Sequence, residues 1–323
     1  GDIPIFTSPD SADVWANKNM FRLDTKGHPL EVAGVPPDYF AAEGQLWGNP
    51  LYDWKAHKKD SYRWWIERVR HQLDQVDYVR IDHFRGFEAY WAVPADEKTA
   101  MNGKWKKGPG EELFRAIEKA LGEELPIFAE DLGIITPEVE KLRDSLGYPG
   151  MKVLQFGFDG LGESSFLPHQ LDTRNCICYT GTHDNETTKG WLEGLQGHDR
   201  DFVREYINCY EAPVNDCVWG LIRIALASVA DLAVIPIQDY LCLGNEARMN
   251  APATLGDNWK WRLTRGQISD MTLYHMREVT RIYGRLYREP VAEEPEEETE
   301  IEETEIEEQI DKSSNCKTGE RRL

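Results

Sequence analysis

The sequence has no apolar run long enough to cross a bilayer as a helix, so no membrane partner is expected. It opens Gly1-Asp2-Ile3-Pro4-Ile5, with neither the basic segment nor the cleavage site of a secretory leader. No initiating Met stands in front, which suggests a fragment or a processed start. Cysteine is scarce, six in 323 residues, too few for a disulfide framework. Cys176 and Cys178 share a β-like run, with no second pair to complete a zinc site. These shortages place the chain in the cytoplasm as an expectation. Basic residues are also short, 37 against 57 acids, for a net charge of −20. An acidic surface repels phosphate backbones, so nucleic acid is not an expected partner. A neutral substrate is compatible with that sign.

What is present begins with aromatics and with acids at the ends of short apolar runs. The 11 Trp and 13 Tyr suggest surfaces for stacking on rings, although many serve the core. The run Tyr78-Val79-Arg80-Ile81-Asp82-His83-Phe84-Arg85-Gly86-Phe87 reads as a buried strand entering a turn at Gly86. Side chains alternate along a strand, so Arg80 and Asp82 share a side. The guanidinium is expected to keep Asp82 ionised, as a covalent catalyst of sugar transfer requires. A structural ion pair capping the strand is the plain alternative.

Taken in order, Ile3 to Phe6 is a strand candidate ending at Thr7-Ser8-Pro9-Asp10. Asp10 lies just past that strand end, where an active site sits in a β/α barrel; Asp10 or Ser11 could instead cap a short helix. Residues 34–54 read as a long irregular loop with Tyr39, Phe40, Trp47, Tyr52 and Trp54, either a lid over a sugar site or packing for the core. An amphipathic helix is expected over 54–76 from Trp65, Val69 and Leu73, and another from Glu111 to Leu121. Pro126 to Gly133 is a strand ending in acid. Glu130 shares its side with Phe128, and apolar neighbours raise a carboxyl's pKa, as a general acid requires. Thr136-Pro137-Glu138 starts a helix that Gly147 stops. Met151 to Phe158, Cys176 to Thr182 and Leu232 to Ile237 complete six strand candidates, with His183 and Asp184 at another tip. Helical stretches are expected at 201–211, 215–231 and 268–288. From about residue 290 the sequence turns acidic, with Glu298-Thr299-Glu300-Ile301-Glu302 repeated at once, a composition that cannot bury enough apolar surface to order itself.

Alternating strands and helices with acids at strand ends imply an α/β fold of the (β/α)8 TIM-barrel type, incomplete, with about six of eight strands. Residues 1–289 form the expected partial barrel and 290–323 an acidic disordered tail. Retaining glycoside chemistry uses a nucleophilic carboxylate and an acid/base carboxyl roughly 5–5.5 Å apart. Asp82 is the candidate nucleophile and Glu130 the candidate acid/base. Asp184, helped by His183, would hold substrate hydroxyls as charge develops at the ring.

The runs Asp10–Asn17, Gly34–Tyr52, Val79–Phe87, Ala129–Thr136, Tyr179–Thr188 and Gly244–Asn250 resemble those of the amylomaltases, or disproportionating enzymes. These are 4-α-glucanotransferases of the α-amylase clan, and the likeness covers about residues 1–288. The resemblance implies a barrel that cuts an α-1,4-glucan, keeps the glycosyl group on an aspartate and passes it to glucose or another glucan, maltooligosaccharide or amylose. It implies Asp82 as nucleophile, Glu130 as acid/base and Asp184 as transition-state stabiliser, with Arg80, His183 and Asn185 beside them. It makes the loop with Tyr39, Phe40 and Trp47 a lid on the acceptor side, and calls for no organic cofactor and no metal. The sequence departs from the pattern in three places. The resemblance implies that the matching part begins at the family's third barrel strand; the lid reads Phe40-Ala41-Ala42-Glu43-Gly44 where small hydroxyl residues are more usual near those alanine and glutamate positions; and the acidic tail has no recognised counterpart.

Two rivals stand beside this reading. Asp82-His83, Glu130-Asp131 and His183-Asp184 could supply ligands to a metal-dependent hydrolase, but they share no ligand spacing and no His-x-His pair occurs. The other rival is an inactive, truncated glucan-binding remnant of the same fold. Oligomeric state is not legible in the sequence.

Overall fold

The short apolar runs pair side by side and in one direction. The computed structural model describes residues 1–37, 41–252 and 254–287; Tyr39, Phe40 and the acidic tail lie outside them. One compact unit spans Gly1–Arg285. In chain order its strands are β1 (Asp2–Ile3), β2 (Glu31–Val35), β3 (Gln45–Pro50), β4 (Val79–Ile81), β5 (Ala89–Pro94), β6 (Lys104–Lys107), β7 (Ile127–Ala129), β8 (Gly150–Val153), β9 (Cys176–Tyr179) and β10 (Leu232–Val234). The helices are α1 (Ala12–Ala16), α2 (Trp54–Lys59), α3 (Arg63–Leu73), α4 (Glu111–Leu121), α5 (Pro137–Ser145), α6 (Thr188–Gly194), α7 (Gly197–Tyr206), α8 (Val214–Ala227), α9 (Ile237–Tyr240) and α10 (Asp270–Ile282).

Strands β1, β4 and β7 form one parallel sheet, and β8, β9 and β10 another. The two meet where the Ala129 N–H donates to the Pro149 carbonyl at 2.9 Å. Beside that seam the Met151 N–H donates to the buried Asp131 carboxylate at 2.7 Å, and Asp131 is paired in turn with Arg143. The six strand candidates are all present, in parallel and in sequence order. Several are shorter than expected: the first ends at Ile3, because Pro4 has no N–H to continue the ladder, the run from Met151 gives way to a 3-10 turn over Leu154–Phe156, and the last two end at Tyr179 and Val234. Every strand that carries a candidate acid therefore ends on the same side, as α/β folds require of their sites.

The main correction concerns residues 34–54. They are not an irregular loop throughout. Gln45–Pro50 is strand β3, antiparallel to β2, with Val35 opposite Gln45 and Gly34 opposite Leu46. The connecting turn uses Gly44 at φ +68, where a Cβ would strike the Val35 carbonyl. Strands β5 and β6 extend this to a four-stranded antiparallel sheet. The second correction is the helix expected over 54–76. It is two helices, because Ser61 and Tyr62 take the left-handed region at φ 52 and 57 and let the chain turn between α2 and α3.

The helices bury the faces their periodicity foretold. Trp65 and Val69 of α3 and Leu113 and Ile117 of α4 are buried with Ile81, Phe84, Phe87 and Ile127 in one core. Each such side chain contributes on the order of 1.5–3 kcal/mol by leaving water. Arg68 lies against the faces of Trp64 and Trp65, 5.2 and 4.9 Å from the ring centroids, and donates to the Pro4 carbonyl at 2.8 Å. It thereby ties α3 to the end of β1. A second core gathers α8 with Leu154, Cys176, Cys178 and Leu192. Among the described residues no helix is long and apolar enough to cross a membrane.

Candidate active site

A cleft of about 1590 Å³ is lined by residues that follow β4, β7, β8 and β9. Asp82, Glu130 and Asp184 all line it, with Arg80, Trp47 and Asn185. A smaller cavity of about 250 Å³ adjoins it through Arg80, Thr182, Asn185 and Arg248, and His183 lines that one.

At the tip of β4, Arg80 is buried and bridges two carboxylates. Its Nη1 lies 2.8 Å from Asp2 Oδ2 and its Nη2 lies 2.8 Å from Asp82 Oδ1. Parallel pairing causes this, because Asp2 stands opposite Arg80 in the β1–β4 register. The expected pairing of Arg80 with Asp82 is present. Its electrical consequence differs from the expectation: burial pushes the Asp82 carboxyl up, outweighing the lowering by Arg80, and Asp2 and Asp184 push the same way.

Glu130 follows β7 and is gripped by the backbone on both oxygens. The His83 N–H donates to Oε2 and the Leu132 N–H to Oε1, each at 2.7 Å. Burial raises its carboxyl to about 7, with Asp82 adding to the rise, while Arg80 and the two N–H donors oppose it. The upward direction matches the expectation, but Asp82 was not foreseen as a contributor. His83 makes its donation from the left-handed region at φ 50. Burial lowers its imidazole to about 3, so the ring is neutral, and it stands edge-on to Trp47 with centroids 4.8 Å apart.

Asp184 lies past β9 in a dense network. Asn250 Nδ2 donates to Oδ1 at 2.6 Å and His183 Nε2 stands 3.3 Å from Oδ2. Arg248 donates to the Asp184 carbonyl at 2.7 Å and to the Asn250 carbonyl at 2.9 Å. Burial would raise this carboxyl, but the bonds from His183 and Asn250 outweigh it, and the net direction is down. The bond to Asp184 raises His183 correspondingly. Asn185 turns its carbonyl back to the Thr182 N–H and hydroxyl at 2.9 and 2.7 Å. Beneath, the buried Asp239 accepts from the Thr180 and Thr188 hydroxyls at 2.6 and 2.7 Å and from the Thr188 N–H at 2.8 Å, pinning both ends of this loop.

Asp10 is not among the residues lining the cleft; it is exposed and bonded to the Ser8 hydroxyl. Ser11 accepts from the Val14 N–H at 3.3 Å and caps α1, the plainer of the two roles weighed for that stretch. Trp47 lies on β3 within the cleft lining, while Tyr39 and Phe40 lie outside the described residues. Sequence reasoning missed Asp2, Arg85, Trp105, Gln155 and the roles of Arg248 and Asn250. The run Gly244–Asn250 was visible, but nothing in its spacing tied it to Asp184. Among the described residues no three His, Cys, Asp or Glu side chains are grouped to hold a metal ion.

Parallel strands whose carboxyl ends share one acid-lined cleft define an α/β chain of the kind that carries its site on strand tips. The chain belongs to the 4-alpha-glucanotransferase family, whose model matches residues 1–269. It is 52% identical to the 4-alpha-glucanotransferase of Synechocystis sp. over 287 residues, covering 88% of this chain and 56% of that protein. It is 50% identical to the Thermus thermophilus 4-alpha-glucanotransferase, covering 83% of this chain and 54% of that one. The chain thus spans about half the length of these curated relatives. The amylomaltase from Streptococcus agalactiae in complex with acarbose superposes with a TM-score of 0.84 at 41% identity, covering 89% of this chain and 57% of that one. The Corynebacterium glutamicum amylomaltase, at 18% identity and a TM-score of 0.69, shares the fold.

Proposed function

We propose that the cleft transfers segments of α-1,4-glucan to glucose or to another α-1,4-glucan by a double displacement with retention. One observation carries the reading: Asp82, Glu130 and Asp184 line a single cleft. Membership of the 4-alpha-glucanotransferase family supports the substrate class, as does the acarbose bound to the related amylomaltase. We read the six parallel strands as part of an eight-stranded β/α barrel and the chain's setting as cytoplasmic.

In the first displacement an Asp82 oxygen bonds to the anomeric carbon as the glycosidic bond breaks. The proton of Glu130 goes to the leaving oxygen. In the second, the acceptor hydroxyl attacks the glycosyl-aspartate ester, Glu130 takes its proton, and Asp82 leaves as carboxylate. A carboxyl held near 7 can give the proton in one step and take it in the next at neutral pH. Asp184, kept ionised by His183 and Asn250, faces the ring as positive charge develops. Trp47 and Phe156, both cleft-lining and part-exposed, offer stacking faces to sugars.

Incubation with maltotriose tests the proposal. A ladder of longer maltooligosaccharides with glucose supports transfer. Retention on a glucan resin without any product overturns transfer and leaves a binding remnant. Activity abolished by a chelator and restored by a divalent ion would favour a metal-dependent hydrolase.

A further inference from the structure

Arg85 sits on the one-turn segment Phe84–Phe87 just past Asp82 and is buried. Its guanidinium carbon stands 3.9 Å from the centroid of the Trp105 ring. Its Nη1 donates to the Ile134 carbonyl at 2.9 Å. One side chain thus joins the turn after β4, strand β6 and the loop after β7. That loop is short, and Gly133 bends it at φ +86. Inside it lies the Leu132 N–H that holds Glu130 Oε1. The opposite oxygen is held by His83, two residues before Arg85. Both backbone donors to Glu130 therefore belong to segments that Arg85 spans.

We propose that Arg85 is a positioning residue for Glu130: by binding the Ile134 carbonyl and stacking on Trp105 it fixes the Leu132 peptide against one carboxyl oxygen. The catalytic consequence rests on Glu130 being the acid/base; the clamp is a matter of geometry. The role needs a flat, forked cation. A lysine keeps the charge but cannot stack on the indole and aim a fixed N–H at the carbonyl together. The charged groups acting on Glu130 are Arg80 on β4 and Asp82 just past it, with opposite effects, and the His83 imidazole is neutral. An N–H bonded to a carboxylate favours its charged form. Loosening the Leu132 peptide removes that preference and leaves burial and Asp82 to act, so Glu130 titrates higher.

Infrared difference spectra against pH, taken on the chain as it exists and referenced to Glu130→Gln, isolate the Glu130 carboxyl. Arg85→Leu and Arg85→Lys are each expected to raise its midpoint by roughly half to one pH unit, about a three- to tenfold change in ionisation. Circular dichroism should show the fold retained. Ethylguanidinium added to Arg85→Ala should restore the original midpoint, which a general loss of packing would not allow. Where Arg85→Leu fails to fold, Arg85→Lys and Trp105→Leu carry the measurement. An unchanged midpoint in folded Arg85→Lys overturns the proposal. The reading needs no turnover, so a wild-type chain that makes no product from maltotriose refutes the transfer proposal and leaves this one to its own test.

Discussion

The main-chain N–H of His83 donates to Glu130 Oε2 at 2.7 Å, so the residue that follows Asp82 in sequence holds the carboxyl presented by the next strand. The placement of the two acids is thereby a backbone matter, set by the pairing of β4 with β7. It also couples them electrically, since Asp82 is a named cause of the upward shift of Glu130. The carboxyl whose proton transfer chemistry would move is thus held in place by backbone donors with no side-chain freedom to lose.

Glu130→Gln should change how stability depends on pH. The folded chain holds the carboxyl proton up to about 7, against an ordinary value of 4.5. Between those values the folded state binds more protons than the unfolded chain, so stability falls as pH rises through that window. Removing the carboxyl removes the fall, on the order of 1–3 kcal/mol. Thermal melts should show the variant gaining on wild type between pH 5 and pH 8. A gap that does not widen would mean the carboxyl is not raised. The same variant, and Asp82→Asn, should lose the maltooligosaccharide ladder by roughly a thousandfold or more.

Asp184→Asn should lower the midpoint of His183. The bond to Asp184 is the leading cause of that imidazole's upward shift. A raised imidazole contributes stability that is complete below its unfolded value of 6.5 and is lost as pH rises through the folded value. The variant forfeits that contribution on the acid side. Proton NMR of the His183 ring across pH 5 to 8 checks the direction; a midpoint that holds its place would contradict the network.

Arg80→Met should destabilise the chain modestly and push Asp82 further up. The guanidinium neutralises Asp2 and Asp82 together; Asp82 is desolvated enough to be pushed up, yet both carboxylates keep water on one side, 42% and 40% exposed, and that water screens part of the interaction. A cost of about 1–2 kcal/mol is expected in urea unfolding. A loss of 4 kcal/mol or more would show the pair to be shielded from solvent.

Gly150→Ala should weaken the seam between the two parallel sheets. A Cβ there would strike the Asp131 carboxylate and stand 2.9 Å from Arg143 Nη1. Forcing that buried pair aside should cost on the order of 1–3 kcal/mol. Gly194→Ala, at the end of α6 with nothing within 4 Å of its Cβ position, is the matched control and should leave denaturant midpoints unchanged or slightly raised.

The parallel strands were legible because each is an apolar run bounded by turn residues, and period and punctuation suffice for that. Helix α4 was legible to the residue, from Glu111 to Leu121, because Leu113, Ile117 and Leu121 recur on one apolar face. The antiparallel sheet was not. Its strand β3 carries Gln45, Trp47 and Asn49 with glycine and proline around them, a composition that mimics a loop; what makes it a strand is β2 alongside. The three carboxylates stood out as acids at strand ends. Their surroundings did not: Asn250 reaches Asp184 across a long loop, Asp2 shares Arg80 with Asp82 through strand register, and Arg85 binds the Ile134 carbonyl in the loop after Glu130, none of which a local pattern encodes. Burial of Asp82 was likewise invisible, because it depends on neighbours far away in sequence.

The join between β7 and β8 divides the acids unequally. Asp82 and Glu130 follow strands of one sheet, and Asp184 follows a strand of the other. Prying that join apart would shift the third carboxylate away from a pair whose mutual spacing stays intact. A saccharide seated across both sheets would work as a cross-brace, and amide protons at Ala129 and Met151, the stitches of the join, would exchange more slowly once it is seated.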